Sequence, residues 1–142
     1  MARAEAGERL GFLLRRAQQA HLALWNEIVS TDVTSVQFGA LSLIDAESGL
    51  SQAELGRELD LDRSTIADVV ARLERRGLVE RSRAEDDRRR YRLRLTPGGQ
   101  ACLLELAPLV ERMDAALTTQ LSTAEREALQ RALQSLLGGR TG

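Results

Sequence analysis

Residues 51–97 read SQAELGRELDLDRSTIADVVARLERRGLVERSRAEDDRRRYRLRLTP. Ser51 and Glu54 form the S-x-x-E pattern of a capping box, which opens a short helix ending near Leu59. Asp62 is a second N-cap residue. Beyond it Ile66, Val69, Val70 and Leu73 recur at spacings of three and four, marking the inner face of a helix over about 63–76. Gly77 stands where a helix closes on a left-handed residue. The period then changes. Leu78–Arg81 reads as a short strand and Ala84–Asp87 as a polar turn. Tyr91-Arg92-Leu93-Arg94-Leu95 alternates apolar with charged, as a half-exposed strand does. Thr96 and Pro97 open the next helix as N-cap and first position, where the missing proline N–H costs nothing.

On the N-terminal side, Thr34 and Gln37 form another capping box, opening a helix over about 35–47 that Gly49 ends. Further upstream, residues 8–29 carry a helical stripe: Leu10, Leu13, Leu14, Ala17, Leu24, Trp25 and Ile28. His21, the sole histidine, lies near the middle of that stripe. On the C-terminal side, the helix from Pro97 runs to about Thr119. A box at Ser122–Glu125 then opens a last helix bearing Leu129, Leu133, Leu136 and Leu137. The predicted fold is mainly α with a small β-hairpin. It is a winged helix-turn-helix over 34–96, flanked by terminal helices at 8–30 and 97–138, all within one domain of 1–142.

Composition narrows the function. The chain has 142 residues, 43% hydrophobic and 29% charged, enough to bury a core. Aromatics at 3% and two prolines suit long helices rather than a loop-rich β fold. One cysteine, Cys102, excludes an internal disulfide and a cysteine-based zinc cluster. No apolar run approaches the ~20 residues that span a bilayer, and the N-terminus has no signal-peptide core, so a cytoplasmic protein with no membrane partner is expected. With one histidine, one cysteine, no metal-spaced cluster and no phosphate-cradling glycine loop, neither an enzyme nor a metal or cofactor is expected.

All 20 basic residues are arginine, so arginine identity says little and position must carry the argument. Between Arg63 and Arg94, eleven arginines face six acids, a balance of +5 in a chain of net charge −1. A basic face of this kind neutralises phosphates and releases counterions. A helix over 63–76 is about 21 Å long and fits a major groove ~12 Å wide. Arg63, Ser64, Thr65 and Asp68 point away from its apolar face. Arginine can pair with guanine, hydroxyls with donors or acceptors, and a carboxylate with the cytosine amine. For Ser64 and Thr65 ordinary first-turn capping is the competing reading. Arg72, Arg75 and Arg76 lie further along, suited to phosphate or to plain solvation. At the hairpin tip, Asp86-Asp87-Arg88-Arg89-Arg90 places arginines where they fit a narrow, negative minor groove, with an aspartate near enough to orient one of them.

Three stretches resemble the MarR family of bacterial transcriptional regulators: 51–56 with 61–66, 73–79, and Asp87-Arg88-Arg89 with Leu93-Arg94-Leu95-Thr96-Pro97-Gly98-Gly99. The resemblance spans the whole chain. It implies a homodimer whose first and last helices intertwine, so that 8–30 and 97–138 become dimerisation helices. It also implies double-stranded DNA with a pseudo-palindromic operator, and Arg89 as the minor-groove arginine with Asp87 as its orienting partner. Leu14–His21 with Leu24-Trp25 is similar to the subgroup that senses aromatic carboxylates of the protocatechuate and hydroxybenzoate type. These are repressors released when the acid binds between the dimerisation helices and the DNA lobe. On that resemblance Arg15 would pair with the carboxylate, His21 would hydrogen-bond a carboxylate or ring hydroxyl, and Trp25 and Phe38 would supply apolar wall. Arg16 rivals Arg15, while His21 and Trp25 also read as ordinary core or interface residues. Two further readings stay open. One is a regulator of the same fold answering another phenolic, lipophilic or oxidative signal, although the family's peroxide sensors carry their cysteine in the first helix and this chain has Cys102 instead. The other is an interaction module that does not bind DNA.

Overall fold

The computed structural model describes residues 3–83 and 91–138. In chain order these form α1 (Arg3–Glu8), α2 (Leu10–Leu24), a π-helical turn (Trp25–Val29), α3 (Ser35–Ala46), α4 (Gln52–Glu58) and α5 (Arg63–Arg75). The hairpin β1 (Val79–Arg83) and β2 (Tyr91–Leu95) follows, then α6 (Pro97–Leu117) and α7 (Thr123–Gly138). The element order is the one expected. The differences lie at the ends: β1 runs to Arg83 instead of Arg81, and the N-terminal helix begins at Arg3, is interrupted at Arg9 and ends in a π turn.

Capping explains most boundaries. Thr34 Oγ1 accepts from Gln37 N–H at 3.0 Å, and Gln37 Oε1 accepts from Thr34 N–H at 3.2 Å. The side chains of Ser51, Asp62, Thr96 and Ser122 likewise accept the N–H three residues on, at the starts of α4, α5, α6 and α7. α5 closes in a Schellman motif: Leu78 N–H reaches the Leu73 carbonyl and Gly77 N–H the Glu74 carbonyl, with Gly77 at φ 73°. The Thr96 hydroxyl donates to the Gly77 carbonyl, tying the end of α5 to the start of α6.

Two cores result. The larger one packs α3, α4, α5 and the hairpin through Leu41, Ile44, Leu55, Ile66, Val70, Leu73, Val79 and Leu93. Burying each such side chain stabilises the fold by about 1.5–3 kcal/mol. The hairpin is antiparallel, with Val79 opposite Leu95 and Arg81 opposite Leu93. Leu93 also exchanges backbone hydrogen bonds with Gly49 and Leu50, which anchors the wing beside the start of α4. The smaller core joins the π turn to α6 through Trp25, Val29, Val33, Leu106 and Met113. Cys102 packs against both.

The N-terminal stripe is buried only in part within one chain. Leu24, Trp25 and Ile28 pack as the periodicity predicts, whereas Leu10, Leu13 and Leu14 are exposed. α7 likewise buries none of its residues, and Leu129, Leu133, Leu136 and Leu137 face outward.

Candidate nucleic-acid interface and ligand cluster

Every residue singled out on α5 is exposed. Arg63, Ser64, Thr65, Asp68 and Arg72 line its outer face, while Ile66, Val70 and Leu73 are buried behind them. At 13 residues the helix is about 20 Å long. The Asp62 carboxylate caps it, accepting Thr65 N–H at 2.7 Å and the Ser64 hydroxyl at 3.1 Å. Hydrogen bonds from Thr65, side chain then backbone, and from Ser64 hold that carboxyl below its usual range. The Ser64 hydroxyl hydrogen is therefore engaged in the cap, and its oxygen lone pairs remain to accept a bond.

Asp68 and Arg72 pair with each other one turn apart, at 3.2 Å and largely exposed. Such a pair is worth about 0.3–0.5 kcal/mol, too little to hold either group against a base or a phosphate. Arg81 bonds Glu74 at 2.6 Å, fixing the hairpin against α5. Among the described residues the guanidinium groups of Arg63 and Arg57 have no hydrogen-bond or ion-pair partner. Asp87, Arg88 and Arg89 lie outside the described residues.

The fold adds something the sequence did not reveal. α4, the start of α5 and the hairpin enclose an open cleft of about 820 Å³, lined by Gln52, Arg57, Arg63, Arg81 and Tyr91 among others. Gln52 Oε1 is buried there without a hydrogen-bond partner. Arg57 and Arg81 sit on different elements, so no local pattern brings them together; the hairpin docking does. The arrangement is a basic concave surface continuous with an exposed helix, shaped to receive a polyanion.

On the other side, three of the four candidate ligand residues meet. The His21 ring lies 6.1 Å from the Trp25 ring, and Trp25 lies 5.6 Å from Phe38. Trp25 is 3% exposed and donates Nε1–H to the Val33 carbonyl at 2.7 Å. His21 Nδ1 is buried and has no hydrogen-bond partner. Phe38 also faces a groove of about 310 Å³ between α3 and α6, with Ser42, Gln100 and Leu103. Arg15 does not join the cluster. It is exposed on α2, about 9 Å along the helix axis from His21 and roughly 120° around it. Arg16 is equally exposed.

Burial pushes the Cys102 thiol up, against a smaller opposing effect of Arg76. A raised thiol resists forming the thiolate that oxidants attack, which speaks against the oxidative-signal reading. Among the described residues no group of three or more potential metal ligands gathers, and no helix is long and apolar enough to cross a membrane.

The MarR family profile matches residues 31–90. The chain is similar to the PcaV transcriptional regulator from Streptomyces coelicolor, solved with its natural ligand: 39% identical, TM-score 0.90, covering 97% of this chain and 98% of that one. It is similar to BpsR of Bordetella bronchiseptica, whose DNA binding is regulated by 6-hydroxynicotinic acid: 31% identical, TM-score 0.83, covering 91% and 98%. It is also similar to the transcriptional repressor CouR, solved on a 23-mer DNA duplex: 33% identical, TM-score 0.84, covering 96% and 98%. With that helix-turn-helix and wing, and with identity at this level along nearly its whole length, the chain belongs to the MarR family of DNA-binding transcriptional regulators.

Proposed function

We infer that this protein is a homodimeric repressor, held on a pseudo-palindromic operator and released when a small aromatic carboxylic acid binds. The observation that carries the effector half is the buried, unpartnered His21 Nδ1 set against the Trp25 and Phe38 rings. A buried polar atom without a partner costs about 1–3 kcal/mol, and a ligand group that bonds it recovers that cost. An aromatic acid suits the place: a flat apolar body for the two rings and a hydroxyl or carboxylate for the imidazole. An arginine fork meets the carboxylate, Arg15 or its neighbour Arg16, brought to the pocket by dimer assembly. BpsR, whose DNA binding is regulated by 6-hydroxynicotinic acid, supports the same class of effector.

In the DNA half, Arg63, Ser64, Thr65 and Asp68 read base edges from α5 and Arg72 meets phosphate. Arg88 and Arg89 enter the flanking minor groove from the wing tip, with Asp87 orienting Arg89. Residues 34–96 form the DNA lobe, and 8–30 with 97–138 form the dimer. The exposed leucines of α2 and α7 support that division, since apolar faces of this extent mark an interface. The two copies of α5 then lie about one DNA turn apart, roughly 34 Å.

The test selects a duplex from random-sequence DNA with the full-length protein, then measures its affinity with and without 4-hydroxybenzoate and protocatechuate. Loss of operator affinity on adding acid is expected. An acid that binds the protein and leaves operator affinity unchanged would sink the repressor-release reading.

A further inference from the structure

The loop between the π turn and α3 is held from two sides at neighbouring carbonyls. Trp25, from the aromatic cluster, donates Nε1–H to the Val33 carbonyl at 2.7 Å. Arg76, the C-cap of the recognition helix α5, donates Nη1–H to the Asp32 carbonyl at 2.7 Å. Inside the loop, Ser30 Oγ accepts Asp32 N–H at 3.0 Å and Val33 N–H at 2.9 Å, so the two carbonyls sit in one ordered turn. Behind it, Ser30 N–H bonds five residues back to Trp25 itself. The hydrogen bond from Arg76 spans 44 residues of sequence and joins the end of the DNA-reading helix to this loop.

We propose that Arg76 is a positioning residue that couples the His21–Trp25–Phe38 cluster to the recognition helix through the 30–33 loop. The inference rests on reading that cluster as the effector site. A ligand seated against the indole favours one ring position over another. The Nε1 bond carries that preference to Val33, the Ser30 turn carries it to Asp32, and the guanidinium carries it to the last turn of α5. A cation donating to a carbonyl makes a stronger bond than a neutral donor, so α5 follows the loop rather than slipping from it. A ligand shifts such an equilibrium only by its differential affinity for the two states, and Arg76 is the connection through which that difference reaches DNA. The neighbouring Arg75 has the same charge and no bond to the loop among the described residues, which makes it the natural control.

The experiment compares wild type, Arg76→Ala and Arg75→Ala on one selected duplex. The first readout is the ratio of operator Kd with and without saturating protocatechuate. A coupling of about 5–150-fold is expected in wild type and Arg75→Ala, and a ratio near one in Arg76→Ala with protocatechuate affinity of the free protein kept. The ratio is the right quantity because removing a phosphate interaction at either arginine alters both affinities alike and cancels. The second readout needs no acid: emission of Trp25, the sole tryptophan, on adding operator. It shifts in wild type and Arg75→Ala and stays fixed in Arg76→Ala. If no acid binds wild type, the effector reading fails while the Trp25 signal still decides the coupling. An Arg76→Ala protein that keeps the wild-type ratio, or the wild-type Trp25 shift, overturns the proposal.

Discussion

Arg63 is the first residue of the recognition helix and is exposed, with no internal partner among the described residues to compete for its guanidinium. A bidentate pair with guanine at this position is worth about 1–3 kcal/mol per half-site. Arg63→Ala is therefore expected to weaken operator binding by that amount and to relax preference at one base pair per half-site. Competition with singly substituted duplexes measures it; equal loss on every sequence would make Arg63 a phosphate anchor instead. Asp62, one residue earlier, gives a pH-dependent prediction. Its carboxyl is held below the ordinary value of 3.8 by Thr65 and Ser64, so the unfolded chain takes up the proton first as pH falls. The stabilisation is fully present above that value and disappears as pH drops through the lower, folded one. Asp62→Asn keeps a capping oxygen and loses the charge. The difference in Tm between the two proteins should thus shrink on acidification from about pH 6 toward pH 3. A difference independent of pH would show that the ionised carboxylate contributes nothing at this cap.

Elements were legible where a side chain bonds its own backbone. Thr34, Ser51, Asp62, Thr96 and Ser122 announce their helices in three or four letters, and each one caps in the structure. The end of α5 was legible because Gly77 adopts positive φ directly after its C-cap, while Gly49 does so in the turn just beyond α3. The π turn at Trp25–Val29 was not legible, since its extra residue answers to the packing of Trp25 against Phe38 and Val33, which lie in later parts of the chain. The cleft beside α5 was hidden for the same reason: Arg57 and Arg81 meet only once the hairpin docks. That docking depends on Gly99. A Cβ there would press on the Leu78 carbonyl, which already accepts Thr96 N–H, and its neighbour is backbone that cannot swing away. Gly99→Ala should lift the first turn of α6 off the hairpin root and cost about 1–3 kcal/mol, seen as a lowered Tm. An unchanged melting curve would show that α6 can shift without loss.

The whole molecule has two unfinished surfaces, and they differ in kind. One is charged, around α5 and the hairpin; the other is apolar, along α2 and α7, where Leu10 is 75% exposed and Leu136 52%. A chain that buries two ordinary cores and still presents leucines in helical register along α2 and α7 fits the proposed dimer, in which those faces are covered by a second copy. The charged surface depends on the apolar one. On the proposed reading a single α5 meets one half-site, and joining two converts the second binding step into an intramolecular event worth a factor of about 10²–10⁴. Leu133→Arg places a cation in the middle of the α7 stripe, outside the DNA lobe, on a helix none of whose residues is buried within its own chain. The variant is expected to sediment as a monomer with normal helical content. It should lose about 10²-fold or more in operator affinity while its residual binding keeps a dependence on salt. Its Tm should also stop rising with protein concentration, as a dimer's does. A Leu133→Arg protein that remains a dimer with wild-type affinity would move the interface off α7, and one that is monomeric yet binds at full strength would show that a single wing and helix suffice.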